Sequence, residues 1–325
     1  MKEVAFIKQN KERWLAFERS LNSRNRLNSD EMADEYIRLL NDLSFSRTYY
    51  PKSKTTAYLN SLVAQIYRKI YKTKRWEQNR FRSFFETDVP LLMYRYRKTM
   101  YFSLLVFFFF CLLGAISAKY DDSFVRLILG DSYVNMTLEN IEKGDPMAVY
   151  KTGGRIGSFI GITVNNIYVS LRAFIYGLSA GVLTFYIALQ NGVMLGAFQY
   201  FFYEQGVWEE SLRGIWLHGA MEIFSIVVSV ASGFILASSL LFPGTYSRFD
   251  SFKRGIRESL NIALSTLPFF ITAGFIEGFI TRHSNTMPLW LNVPIIIGTL
   301  AIITFYYLVY PFMVEKKAGQ TALWS

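Results

Sequence analysis

The chain has 325 residues, 51% of them hydrophobic and 17% aromatic, and its formal net charge is +10. Its one cysteine, Cys111, excludes a disulfide framework and a cysteine metal cluster. The first 98 residues hold 21 Lys/Arg against 11 Asp/Glu, whereas the other 227 hold 14 of each. A basic segment that leads into an apolar run is typical of the cytoplasmic side of a membrane protein, so we expect no nucleic-acid partner.

Residues 1–75 predict a basic, helical cytoplasmic domain. Apolar side chains recur at helical spacing in residues 55–72, and charged residues surround the apolar positions of residues 4–21. Residues 1–30 lack the continuous apolar segment of a signal peptide, so we expect no cleaved leader.

Residues 76–98 join this domain to the first apolar run. Aromatic and cationic side chains are mixed there, as in a helix that lies among lipid headgroups. The predicted headgroup contacts are Arg75, Trp76, Arg80 and Arg82. A core helix of the soluble domain would account for the composition equally well.

Residues 99–325 predict an all-α polytopic membrane bundle of about six helices, because they contain apolar runs of membrane length. The predicted spans are 99–118, 169–189, 193–207, 214–242, 260–281 and 291–312. The run 193–207 is short enough to be re-entrant, and Gln190-Asn191-Gly192 before it predicts a turn.

Charge predicts the orientation of this bundle. Residues 119–167 hold five Lys/Arg against six Asp/Glu, as expected of an extracytoplasmic loop, whereas residues 248–257 hold four Lys/Arg. The segment 248–257 is cytoplasmic only if 193–207 crosses the membrane. We therefore predict six spans in the bacterial cytoplasmic membrane, with both termini in the cytoplasm.

Ionisable residues interrupt two of the apolar runs. His218 and Glu222 lie at positions i and i+4 and so share one helix face, and Glu277 lies in the next run. Such groups usually face the interior of a bundle rather than lipid. The predicted orientation adds Arg172 and an asparagine pair at the outer end of the second span. The predicted polar core therefore contains His218, Glu222, Glu277, Arg172, Asn165 and Asn166.

Three interpretations of this core remain open. In the first, Arg172 neutralises a glutamate and the core is an internal lock between helices. In the second, it is the outward-facing cavity of a transporter or lipid-precursor flippase. In the third, His218 and Glu222, with Glu277 or His283, bind zinc in an intramembrane hydrolase. The chain has no HExxH motif and no hydrolase nucleophile motif, so we predict no metal, no other cofactor and no catalytic residue.

Three segments carry a resemblance to a known family. They are NRFRSFFETDVPLLMYRYRK before the first span, the NN…SLRAFIYGLSAGVLTFYIALQNGVMLGAF segment, and LHGAMEI…LLFPG together with AGFIEGFITR. Over residues 75–312 the chain resembles the stage II sporulation protein M family of bacterial membrane proteins. The positions that this resemblance carries over are Asn165, Asn166, Asn191, Gly192, His218, Gly219, Glu222, Glu277 and Gly278.

The resemblance implies a role in the cell envelope. The founding member of that family works with peptidoglycan-degrading partners during sporulation, but many relatives occur in bacteria that form no spores, so we carry over no sporulation role. We expect a non-enzymatic scaffold or regulator of a peptidoglycan-remodelling complex that docks partners through residues 1–75. Membrane lipids and other envelope proteins are the expected partners, with homo-oligomerisation left open.

Overall fold

The computed structural model describes residues 3–22, 29–76, 80–151 and 154–322. Over these residues the chain is helical and contains no strand, which confirms the predicted all-α fold. It divides into two compact units, Met1–Ser83 and Phe84–Ser325. The division lies inside the predicted linker 76–98 rather than at its start.

The first unit has its own hydrophobic core. Its helices are α1 (Glu3–Asn22), α2 (Ser29–Tyr49), α3 (Lys54–Trp76) and the short α4 (Arg80–Ser83). The predicted apolar face of α3 is buried, with Leu59 and Ile66 fully inaccessible to solvent. Trp14 of α1 is also buried and donates a hydrogen bond from Nε1 to Asp42 Oδ2 at 2.8 Å. The described residues of the first unit are thus helical and share one hydrophobic core.

The predicted headgroup segment is only partly described. No residue of α4 is buried, and the side chain of Phe81 is 73% exposed between the exposed Arg80 and Arg82. A core helix of the soluble domain would bury such a ring, so that alternative is wrong for α4. The side chains of Arg75 and Trp76 lie outside the described residues. Contact with lipid headgroups stays a prediction.

The second unit contains six segments, within the described residues, that are long and apolar enough to cross a membrane. Spans 1 to 6 are Arg97–Tyr120, Arg155–Ser179, Val182–Glu204, Trp208–Leu241, Arg248–His283 and Leu289–Ala318. Span 1 exposes large apolar side chains such as Phe108, Phe109 and Leu112, which suits contact with lipid rather than water. The chain is a multi-pass membrane protein.

The helices of this unit follow a π-helical turn at Phe84–Asp88. In chain order they are α5 (Val89–Arg95), α6 (Arg97–Tyr120), α7 (Asp122–Leu129), α8 (Asp131–Glu142), α9 (Arg155–Ile175), α10 (Val182–Glu204), α11 (Trp208–Leu241), α12 (Arg248–Ser265), α13 (Leu267–Phe275), α14 (Leu289–Thr304) and α15 (Tyr310–Ala322). Span 5 continues past α13 through a π-helical turn, Ile276–Ile280, and a 3-10 turn, Thr281–His283.

Spans 2 and 3 differ in position from the prediction. Span 2 begins at Arg155, inside the predicted loop 119–167, and that loop also contains the short helices α7 and α8. The predicted span 169–189 combines the end of span 2 with the start of span 3. The predicted segment 193–207 begins inside α10, a helix of 23 residues, and is therefore not a short re-entrant segment.

The turn between spans 2 and 3 falls at Ala180 and Gly181, where φ is 56° and 88°. The predicted turn at 190–192 is wrong, because these residues lie within α10. A Cβ at Gly192 would lie 2.7 Å from Phe110 Cβ and 2.9 Å from the carbonyl oxygen of Phe107. Gly192 therefore permits close packing against span 1 rather than a turn.

Helix α11 is the centre of the bundle. It packs against α6, α9, α10, α12, α13 and α14. Protein buries two thirds of the residues in its most apolar 18-residue stretch, whereas it buries half or less of the corresponding stretch in each of the other spans. Polar side chains on α11 therefore face other helices, as the prediction for His218 and Glu222 requires. The helix ends at Leu241, one residue before the predicted end of the span at 242.

Candidate functional site

The structure brings together His218 and Glu222 of α11 and Glu277 of span 5, and we call these three residues the His–Glu cluster. One ligand atom from each side chain lies within 4.8 Å of the other two. His218 Nε2 is 3.5 Å from Glu277 Oε2. His218 lies ten residues into α11, which is about 15 Å along the helix axis from its start.

Local backbone geometry positions each member of the cluster. The i, i+4 spacing puts His218 and Glu222 on the same face of α11. Glu277 lies in the π-helical turn Ile276–Ile280, a kind of insertion that often occurs at functional sites. The 3-10 turn that follows brings Thr281 to His218, with Oγ1 3.0 Å from Nδ1.

A second layer of polar groups orients the cluster. Asn166 of α9 is buried and donates a hydrogen bond from Nδ2 to Glu222 Oε1. Thr281 is fully buried beside His218. Gly274 allows α9 to approach span 5 here, since a Cβ at that position would lie 2.2 Å from Thr163 Oγ1. The cluster therefore lies between three closely packed spans.

Within the part of the chain that the structure describes, the two carboxylates of the cluster have no cationic partner from lysine or arginine. Among the described residues, no lysine or arginine forms an ion pair with Glu222 or Glu277. Arg282, the nearest arginine along the chain, donates from Nε to the carbonyl oxygen of Gly278 at 3.0 Å. Paired carboxylates in a medium of low polarity are unfavourable without compensating positive charge. The cluster therefore requires protons or a bound cation.

Arg172 does not supply that charge, so the predicted Arg172 lock is wrong. Its Nε lies 3.3 Å from the hydroxyl of Tyr176, and its guanidinium lies over the rings of Tyr168 and Tyr176 at 5.4 and 5.3 Å. The prediction failed because it began span 2 fourteen residues too late. Since the helix begins at Arg155, Asn166 lies in mid-span and Arg172 lies near the opposite end from Arg155.

Two further predicted residues lie away from the cluster. Asn165 is exposed, although its neighbour Asn166 is buried against Glu222. His283 is also exposed and is not part of the group of potential ligand atoms. Thr281 was missed by sequence reasoning. Thr281 lies four residues after Glu277, a spacing that predicts a shared helix face. Threonine is common in apolar helices, so this spacing is only a weak indication of a role in the site.

An open cleft of about 320 Å³ lies at the end of the bundle where spans 3 and 4 connect. Its lining residues are Ile141, Gly144, Pro146, Val207, Glu210, Arg213 and Asn285. None of the three cluster residues lines it. This cleft is therefore not the predicted cavity containing His218, Glu222 and Glu277.

Two family models match the chain. The model of stage II sporulation protein M matches residues 103–282, which include the whole cluster, Asn166 and Thr281. A domain of unknown function, DUF8413, matches residues 4–72, the region of α1 to α3. Searches of curated proteins and of solved structures each found no match. The first match covers more than half of the chain, and the chain therefore belongs to the stage II sporulation protein M family.

Proposed function

We propose that this protein is a non-enzymatic scaffold or regulator of a peptidoglycan-remodelling complex in the bacterial cytoplasmic membrane. The observation that carries this proposal is the combination of a membrane unit of this family with a separate helical unit. A compact unit with its own hydrophobic core is suited to docking partner proteins.

Both termini are proposed to lie in the cytoplasm. Arg95, just before span 1, contacts Glu258, early in span 5, with Nη1 2.6 Å from Oε1. Arg254 of span 5 also contacts Glu258, at 3.0 Å. These two basic segments therefore lie at the same end of the bundle, which supports a single cytoplasmic face under the positive-inside rule.

Partner contacts are proposed for two surfaces of the first unit. Lys8 and Lys11 are exposed on α1, one turn apart, and suit an acidic surface of another envelope protein. Arg80 and Arg82 flank the exposed ring of Phe81 on α4 and suit lipid headgroups.

Co-purification of the full-length protein from native membranes tests the scaffold role. We expect Lys8→Glu with Lys11→Glu to reduce recovery of envelope partners at least tenfold, because the contact surface changes sign. The matched control, Lys8→Arg with Lys11→Arg, keeps the charge and is expected to keep the partners. Glu222→Gln, expressed at the normal level, is expected to retain the complex and to support growth as the unmodified protein does.

A transporter or lipid-precursor flippase is the second candidate, and the uncompensated carboxylates favour it. Buried ionisable groups at membrane depth commonly carry protons or bind substrate in transporters. This candidate predicts the opposite pattern in the same experiment. Glu222→Gln would then abolish function with an intact complex, and charge reversal on α1 would have little effect.

A further inference from the structure

We propose that the His–Glu cluster binds one divalent transition-metal ion, with zinc the best match. The ligands are His218 Nε2 and one carboxylate oxygen each from Glu222 and Glu277. The sequence alone predicted no metal, because the chain has no HExxH motif and no hydrolase nucleophile motif. The inference goes beyond the scaffold role and does not depend on it.

The distances suit a single ion. Ligand atoms at 2.0–2.2 Å from a tetrahedral zinc ion lie about 3.3–3.6 Å apart. The separation of 3.5 Å between His218 Nε2 and Glu277 Oε2 is already in that range. Since the three ligand atoms all lie within 4.8 Å of one another, movements of about 1 Å or less complete the site.

The hydrogen bond with Thr281 orients His218 as a metal ligand requires. Thr281 Oγ1 lies 3.4 Å from the carbonyl oxygen of Ile276, which only accepts, so the threonine hydroxyl donates there. The same hydroxyl oxygen then accepts from His218 Nδ1–H at 3.0 Å. This arrangement puts the ring proton on Nδ1 and directs the Nε2 lone pair toward Glu277. Metal-bound histidines are typically oriented in this way by a hydrogen bond from the other ring nitrogen.

Glu222 is held in the same manner. Asn166 Nδ2 donates to Oε1, which orients the carboxylate and leaves Oε2 for an ion. Ligating carboxylates are usually hydrogen-bonded by such outer partners. Both Asn166 and Thr281 belong to spans other than α11, so the packing of three spans determines the geometry of the site.

Charge and donor type define the ion. A divalent cation balances the two carboxylates, which no described lysine or arginine does. One imidazole nitrogen with carboxylate oxygens suits zinc and its first-row neighbours, whereas magnesium and calcium prefer oxygen ligands alone. Three protein ligands leave the fourth zinc position for water or another ligand.

Metal analysis of the full-length protein tests this site. The protein is purified in detergent with a tag that contains no histidine, incubated with Zn²⁺, separated from free metal and analysed by mass spectrometry. We expect about one zinc per chain for the unmodified protein and for His283→Gln, which removes the only other histidine, an exposed one. His218→Gln and Glu277→Gln are expected to reduce bound zinc to background.

A second variant, Thr281→Val, tests the site without removing any of the three ligands. It keeps the proposal testable if the ligand variants fail to fold. Competition with a chromophoric chelator is expected to show zinc affinity roughly 10–100-fold weaker for this variant. Binding unaffected by 10 mM Mg²⁺ would agree with the donor set. The proposal is overturned if the unmodified protein retains no zinc, which would mean that protons alone compensate the carboxylates. Equal zinc in His218→Gln and His283→Gln would overturn it as well.

Discussion

Asn165 and Asn166 are adjacent in α9 but have different environments. Successive helical residues point about 100° apart, so one amide faces outward while the other reaches Glu222. A polar side chain inside a span holds helices together when it forms hydrogen bonds to a neighbouring helix. The pair therefore offers a natural comparison between a buried contact and an exposed residue of the same type.

We predict that Asn166→Ala destabilises the protein by roughly 1–3 kcal/mol, because it leaves a partly buried carboxylate without its amide donor. Asn165→Ala is expected to change stability by less than about 0.5 kcal/mol. Thermal unfolding of both variants in one detergent measures the difference. Equal midpoints for the two variants would contradict the contact between Asn166 and Glu222.

Three residues of the site were predictable from the sequence. His218, Glu222 and Glu277 were predicted because ionisable groups at membrane depth rarely face lipid. Arg172 was assigned wrongly because its depth depended on where span 2 begins. Thr281 was missed because its role depends on the π-helical and 3-10 turns of span 5, which have no clear sequence signal.

Glycines bring the backbones of spans 1 and 3 into close contact. A Cβ at Gly196 would lie 1.9 Å from the carbonyl oxygen of Cys111, and one at Gly114 would lie 2.3 Å from that of Val193. The backbones of α6 and α10 are therefore in direct contact. Small residues at such contacts are typical of membrane helices, where lipid already solvates apolar side chains.

We predict that Gly196→Ala destabilises the protein by roughly 1–3 kcal/mol, since the added methyl group forces α6 and α10 apart. Gly161 is the matched control. It lies in α9 with no atom within 4 Å of an added Cβ, and alanine there is expected to leave stability unchanged or to raise it slightly. Both variants are compared by thermal unfolding in detergent. A Gly196→Ala midpoint equal to that of Gly161→Ala would refute the close contact.

The number of spans was predictable, but two of their positions were not. Spans 2 and 3 have the lowest mean hydropathy of the six, 1.2 each, against 1.6 to 2.3 for the others. Asn165 and Asn166 lie in the first half of span 2, which therefore did not stand out from a loop. Gly192 was mistaken for a turn because glycine serves both turns and close helix contacts.

Across the whole molecule, charge and apolar length predicted more than local patterns did. The excess of Lys/Arg lies in the first 98 residues, and the contact between Arg95 and Glu258 joins two basic segments at one end of the bundle. The predicted orientation does not depend on the exact limits of spans 2 and 3. The predicted and the observed spans both number six, so the chain crosses the membrane an even number of times in either case. Orientation thus stays a prediction, and it is the one that rests most directly on the distribution of charge along the sequence.

This orientation predicts which connections are accessible from each side of the membrane. In a Cys111→Ala background, Gln205→Cys reports on the connection between spans 3 and 4, and Thr245→Cys on that between spans 4 and 5. Both positions are exposed. We expect an impermeant maleimide to label Gln205→Cys in intact spheroplasts, and Thr245→Cys only after permeabilisation. The Cys111→Ala protein without new cysteines should remain unlabelled. Labelling of Thr245→Cys from outside would reverse the topology and place the first unit outside the cytoplasm.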